Sequence, residues 1–277
     1  MGASVERIIT LITDFGTGDG YVGAMKGVML GINPRCTVVD ITHEIPPQGV
    51  FEGAFVLGNT YRSFPPESIH LAVVDPGVGT GREAILVETD DYFFVGPDNG
   101  LFTWIYRGDE VKQVIGIRKS DFLQTPISQT FHGRDIFAPV AAHLSLGKSP
   151  REFGVALDTW SEIEIPEPRA TDRGFIGEVI HIDRFGNLIT NIPRRLLEPW
   201  VGRGPLHIDI KGRRISDLKT AYAEARRGEL MAIFDSFDLL EISVMGDRAE
   251  EALKAVKGDR VELFSPDDAL MVDQGGT

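Results

Sequence analysis

Three compact apolar runs, each ending in a polar loop rich in glycine or proline, constrain this chain more than any other feature. RIITLIT (from Arg7), CTVVDI (from Cys36) and IHLAVVD (from Ile69) are β-branched runs of strand length. Between them, YVGAMKGVMLGI and the stretch around residues 50–62 carry helical spacing, the second stopped by Pro65-Pro66. Strand, helix, strand, helix, strand predicts a βαβ unit, and with it an α/β domain built on a parallel sheet. Ligands of such sheets bind at the carboxyl ends of the strands. Three loops fall there: TDFGTGDG, THEIPP and DPGVGTGR. AILVET and YFFVGPDNG read as further strands, and FHGRDIFAPVAAHLSLG as a loop feeding a helix over about 135–146.

The pattern then changes. EIEIPEPRATDRG places Pro166, Pro168 and Gly174 within a short charged stretch, which predicts a linker over 166–176 between an α/β domain (1–165) and a second domain (177–277). From Gly177 on, short strands alternate with turns: GEVIHIDRFGN, LITNI, GPLHIDIKGRRI, LMAIFDSFDLLEISV and DRVELF. Helical pattern is confined to EEALKAV and PRRLLEPW, so the second domain reads as a smaller β-barrel.

Charge narrows the partners. Lys and Arg number 28 against 41 Asp and Glu in 277 residues, a net charge of −13. A field of that sign disfavours nucleic acid and anionic membrane surfaces, both of which need basic patches. The single cysteine, Cys36, excludes an internal disulfide framework and a Cys-rich zinc site. No apolar run reaches the roughly 20 residues that span a bilayer, and MGASVER lacks a signal-peptide layout, so the cytoplasm is the expected compartment.

The loops hold the candidate chemistry. TDFGTGDG fits neither GxGxxG nor a phosphate-binding P-loop; its Asp14 and Asp19 suit ribose hydroxyls or an ammonium group better than phosphate. Either could equally cap a turn. Asp75 and Arg82 bracket DPGVGTGR and His132 lies in FHGRD; a carboxylate, a guanidinium and an imidazole that converged could hold and polarise a water. Each pair could also be a structural ion pair. In IDRFGNLITN, Asp183 and Asn187 flank a turn and could either close it or face a ligand. A metal site built from Asp14, Asp75, His132 and Asp183 is disfavoured: HxH, HExxH and DxD clusters are missing, and Arg82 beside Asp75 would oppose a cation.

Taken in order, TDFG, VVDPGVGTGR, VGPDNGLF, FHGRDIFAP and IDRFGNLITN resemble the S-adenosylmethionine (SAM) hydroxide adenosyltransferases, relatives of the fluorinase and chlorinase. The resemblance runs from about residue 8 to 264. It implies an N-terminal α/β domain, a C-terminal β-barrel, and a homotrimer with its sites at subunit interfaces. The implied reaction is SAM plus water giving adenosine and L-methionine, by in-line attack on ribose C5′. No cofactor or metal is implied, because the sulfonium leaves as a neutral thioether.

Carried over by position, Asp75, Arg82 and His132 match the water-activating triad and Asp14 the residue that holds both ribose hydroxyls. Asp19, Asp183 and Ser236 match positions around the methionine end; Asn187, Tyr222 and the backbone of Gly246 match adenine contacts; Phe131 and the backbone of Val78 and Gly133 would surround the attacking oxygen. In the late barrel, Asp235, Asp238 and Met245 replace the family's usual Asn, Gly and Asn. Two other readings compete. Halide transfer is disfavoured because Asp75 stands where the halogenating relatives carry a tyrosine, and a carboxylate repels halide. A nucleoside sensor without turnover would not require the full Asp-Arg-His set.

Overall fold

The structure is a computed structural model that describes residues 7–197, 206–216 and 218–264. After Ile163 the chain divides into two compact units.

The first unit follows the predicted alternation: β1 (Ile8–Thr13), α1 (Tyr21–Ile32), β2 (Thr37–Thr42), α2 (Val50–Thr60) and β3 (Ile69–Val73), then β4 (Ala84–Thr89), β5 (Phe93–Pro97), α3 (Thr103–Gly108), β6 (Val111–Ile117), α4 (Ala138–Ser145) and β7 (Gly154–Ala156). The sheet order is β2-β1-β3-β5-β4-β6-β7. β1 pairs in parallel with β2 and β3, and β3 with β5. The parallel sheet expected of the α/β domain is present from β2 to β5, and the sheet is mixed beyond it: β4 lies antiparallel between β5 and β6, and β7 runs antiparallel to β6. The link from β4 to β5 is too short for a crossover, so it closes as a hairpin.

Alternate side chains feed two cores. Ile9, Leu11, Leu71 and Val73 pack with Met25 and Met29 of α1 and with Val140 and Leu144 of α4. Ile12, Ala72 and Val74 face the other way, onto Leu57 of α2 and Ile105 of α3. A sheet covered on both faces explains why its strands read as continuous apolar runs.

The second unit comprises β8 (Arg169–Thr171), β9 (Gly174–Ile182), β10 (Leu188–Pro193), β11 (His207–Ile210), β12 (Arg213–Ile215), β13 (Leu230–Phe234), β14 (Leu239–Val244), α5 (Ala249–Leu253) and β15 (Arg260–Phe264). Its antiparallel sheet runs β12-β11-β15-β9-β10-β14-β13, with β8 on β9. A bridge from Leu218 to Ala232 brings the segment after β12 onto β13, which nearly closes the barrel. Leu188, Ile208, Ile242 and Val261 fill its interior.

Two local expectations are corrected here. The stretch read as a linker, 166–176, contains β8 and the start of β9, a hairpin with Thr171 opposite Gly174. Gly174 closes a tight turn inside the sheet, while Pro166 and Pro168 precede β8. PRRLLEPW forms a short 3-10 turn at Arg194–Leu196 instead of a longer helix, and residues 198–200 lie outside the described part.

Candidate active site

In the first unit the site residues gather at the carboxyl ends of β1, β2 and β3. Asp14 leaves β1 directly, and its Oδ2 accepts the Gln48 backbone N–H at 2.7 Å. Below it, the buried His43 ring joins the two loops: Nδ1 lies 2.9 Å from Thr13 Oγ1 and Nε2 3.1 Å from Asp40 Oδ1. The His43 carbonyl also accepts the Gly16 N–H at 2.8 Å. The start of the β1 loop is therefore held by THEIPPQ at Thr13, Asp14 and Gly16, which fixes where Asp14 points. Asp19 is exposed in the same loop.

After β3, successive turns fold DPGVGTGR back on itself: the Val78 N–H reaches the Asp75 carbonyl at 3.2 Å and the Thr80 N–H the Gly77 carbonyl at 3.1 Å. That return brings Arg82 onto Asp75. Nε donates to Oδ1 at 2.8 Å and the outer guanidinium nitrogen bonds Oδ2, a bidentate pair with side chains only 10% and 5% exposed. Gly79 has φ +75°, and a Cβ there would sit 2.3 Å from the Gln129 carbonyl oxygen. Only glycine lets this loop lie so close to the segment leading to His132.

The same guanidinium nitrogen of Arg82 lies 2.8 Å from His132 Nδ1. Guanidinium nitrogens only donate, so Nδ1 is the acceptor and the ring proton sits on Nε2. Burial and the Arg82 charge hold His132 below the usual histidine range, while Asp75 and Asp135 pull the other way. His132 precedes a wide π-type turn, Gly133–Phe137, which runs into α4. Such turns are frequent at functional sites. Buried Asp135 braces it, accepting Arg134 Nε at 2.6 Å and the Ser128 N–H at 2.8 Å.

Phe131 ties the two halves of this region together, its ring centroid 5.9 Å from Phe15 and 5.1 Å from Tyr21. The structure thus unites Asp75, Arg82 and His132 directly, and sets the loop of Asp14 against that of His132.

In the second unit Asp183 and Asn187 occupy the β9–β10 turn. Asp183 Oδ1 accepts the Phe185 and Asn187 N–H groups at 2.8 and 2.9 Å, and its Oδ2 accepts Asn187 Nδ2 at 2.9 Å. Both residues therefore close the hairpin, and Asn187 keeps its carbonyl oxygen and its second amide hydrogen to offer a ligand. Gly246, at φ +74°, lies in the turn that leaves β14, next to the 183–187 turn through the bond from the Glu250 N–H to the Gly186 carbonyl at 3.0 Å. Ser236 is exposed in the turn that enters β14, at the opposite end of that strand. Asp235 Oδ1 caps this turn through the Phe237 and Leu239 N–H groups, both at 2.9 Å, and burial pushes its carboxyl up.

Tyr222 is 45% exposed, and its hydroxyl donates to Glu241 Oε1 at 2.8 Å. Glu241 is buried on the outer face of β14, also bonded by the Ser243 hydroxyl, and burial pushes its carboxyl up against the pull of both hydroxyls. Sequence reading missed His43, Gln48, Phe15, Tyr21 and Glu241. The aromatics beside Asp14 were a visible signal; a strand glutamate buried by a covering segment leaves none.

Residues 9–154 match the description "SAM hydroxide adenosyltransferase N-terminal domain" and residues 177–262 "SAM hydroxide adenosyltransferase C-terminal domain". A Salinispora tropica protein named "(R)-S-adenosyl-L-methionine hydrolase" is 38% identical over 92% of this chain and 97% of its own length. A Methanocaldococcus jannaschii protein of the same name is 37% identical over 95% of this chain and 98% of its own. Among solved structures, an uncharacterized conserved protein from Thermotoga maritima superimposes with a TM-score of 0.88 at 36% identity, covering 93% of this chain and all of that one.

Proposed function

The chain belongs to the SAM hydroxide adenosyltransferase family, and we propose that the loops after β1 and β3 and the turn before α4 carry that family's reaction in it. The enzyme hydrolyses SAM to adenosine and L-methionine by attack of activated water or hydroxide at ribose C5′. The C–O bond forms as the C5′–S bond breaks, the electron pair leaves on sulfur, and one proton is released.

One observation supports the residue roles above the rest: Arg82 bonds Asp75 and His132 at once, from two loops far apart in sequence. His132 Nε2–H can donate to the attacking oxygen, while Asp75 accepts a hydrogen bond from the same water. Together they aim a lone pair at C5′. Arg82 holds both oxygens of Asp75 in place, so orienting the water is the main task of that carboxylate, and the proton passes outward as charge develops. Asp14, fixed from behind by Gln48, takes the ribose hydroxyls. The remaining contacts fall to Asp19, Asp183, Asn187, Tyr222, Ser236, Phe131 and Gly246. The leaving group is already cationic, so the chemistry as written calls for no cofactor.

Two refinements belong to this proposal. The relatives' printed name gives the methionine carbon separately as L, so its R describes the sulfonium centre; we assign that epimer as the substrate here. We also assign a cytoplasmic homotrimer, each site shared between one subunit's first unit and a neighbour's second. Membership of both units in the family supports the trimer.

Oxygen-18 water supplies the test. Purified enzyme incubated with mixed sulfonium epimers is expected to yield adenosine labelled at the 5′ oxygen, with equal methionine and selective loss of the R epimer. Unlabelled adenosine would overturn attack by water at C5′. Equal consumption of both epimers would overturn only the stereochemical assignment, and intact ligand after long incubation would favour a sensor.

A further inference from the structure

Three aromatic rings stand where the two halves of the first-unit site meet. Phe15 follows Asp14, Phe131 precedes His132, and Tyr21 opens α1 two residues after Asp19. Their centroids are 5.7 Å (Phe15–Tyr21), 5.9 Å (Phe15–Phe131) and 5.1 Å (Tyr21–Phe131) apart, with tilted or edge-on geometry. Gly133 lets the rings pack close to the backbone: a Cβ there would lie 3.1 Å from Met25 Sδ, 3.3 Å from the Phe131 ring and 3.5 Å from the Phe15 ring. Core packing accounts for the inner edges of Phe15 and Phe131. It does not account for Tyr21, which is 49% exposed on a residue type that usually buries its ring. The trio already takes one cation, with the Arg134 guanidinium 5.1 Å from the Phe131 centroid and held there by Asp135.

We propose that Phe15 and Tyr21, backed by Phe131, form the wall that faces the sulfonium of the substrate and selects the positively charged sulfur over its neutral thioether counterpart. This rests on the SAM-hydrolase reading above. Aromatic faces attract a cation, and a sulfonium carries little hydration to lose on approach. Phe15 adjoins the ribose carboxylate Asp14 and Tyr21 follows Asp19, matched to the methionine end, so the sulfur that joins ribose to methionine falls beside these rings, on the side of C5′ opposite the attacking water.

The charge on sulfur disappears as the C5′–S bond breaks, so this attraction is stronger in the bound substrate than in the transition state. The wall therefore contributes affinity and selectivity, and does not raise kcat. It also lets go of methionine, whose thioether is neutral.

The test compares two ligands. In an Asp75→Ala background, which binds without turning over, calorimetry gives the affinity for SAM and for the neutral thioether S-adenosyl-L-homocysteine. Adding Tyr21→Leu or Phe15→Leu is expected to weaken SAM roughly 3- to 30-fold, with the thioether changed less than about 3-fold. Tyr21→Phe, which keeps the ring, restores SAM binding. In the otherwise native enzyme, Tyr21→Leu raises KM by a similar factor and does not lower kcat. Equal losses for both ligands, or no loss for SAM, would overturn the proposal while leaving the hydrolase intact. Absence of turnover in the native enzyme, with neither ligand bound in the Asp75→Ala background, would remove both.

Discussion

Arg82 positions Asp75 and His132 and also sets the protonation of the imidazole. Its outer nitrogen contacts both Asp75 Oδ2 and His132 Nδ1, so the guanidinium at once fixes the imidazole tautomer and lowers the tendency of that ring to charge. Arg82→Gln removes one of the two influences that hold His132 down and exposes it to Asp75, which pulls up. The His132 pKa, followed by its NMR titration, is therefore expected to rise in that variant; a fall or no movement would refute the assigned contact. Asp75→Ala is expected to leave SAM binding within about tenfold while removing most turnover, a loss at the activation step. Undiminished kcat would sink the triad. Asp14→Ala is expected to do the reverse, weakening binding by roughly 1.5–3 kcal/mol through loss of a charge-assisted set of hydrogen bonds, as calorimetry would show.

At the scale of elements, the strand-helix alternation through β3 was readable because each run is apolar throughout and each break carries glycine or proline. Direction was not, since period and composition are the same for a strand run either way; only the short link at Asp90-Asp91 marked β4 and β5 as a hairpin. The convergence of Asp75 with Arg82 was also hidden, because it depends on turns of DPGVGTGR and on the backbone of Gly79 lying against Gln129. Asp14 and His132 were visible as polar residues at loop ends, whereas the brace of His43 behind Asp14 is a tertiary contact with no periodic signature.

The sheet also contains a titratable group that sequence reading placed simply in a strand. His70 of β3 is fully buried, its Nδ1 2.8 Å from Thr10 Oγ1 and its ring stacked 5.1 Å from Phe94, and burial pushes its pKa down to about 3. Unfolding frees it to take a proton near pH 6.5, so its contribution is full above that value and is lost as pH falls toward 3. Between pH 7.5 and 5 it costs the native state about 2 kcal/mol. Denaturant melts of His70→Gln, which keeps a partner for Thr10 and does not titrate, should show a loss over that interval smaller by about that amount; parallel pH profiles would refute it.

For the whole molecule, the division of labour between units decides how activity is shared among chains. Asp14, Asp75, Arg82 and His132 all lie before Ile163; Asp183, Asn187, Tyr222 and Ser236 all lie after it. In the assembly proposed here, a site takes its first set from one subunit and its second from a neighbour. Asp75→Ala disables the first set and Asn187→Ala the second, so either variant alone, assayed below KM, is expected to be nearly inactive. When the two are unfolded together, mixed in equal amounts and refolded, the site that joins an intact first unit to an intact second unit forms at about one interface in four, the chance product of two halves in a closed ring. Recovery of roughly a quarter of native activity would follow, and light scattering on the same sample would give the mass of three chains. If both sets instead came from one chain, each variant would carry its defect into every site, and mixing would recover nothing.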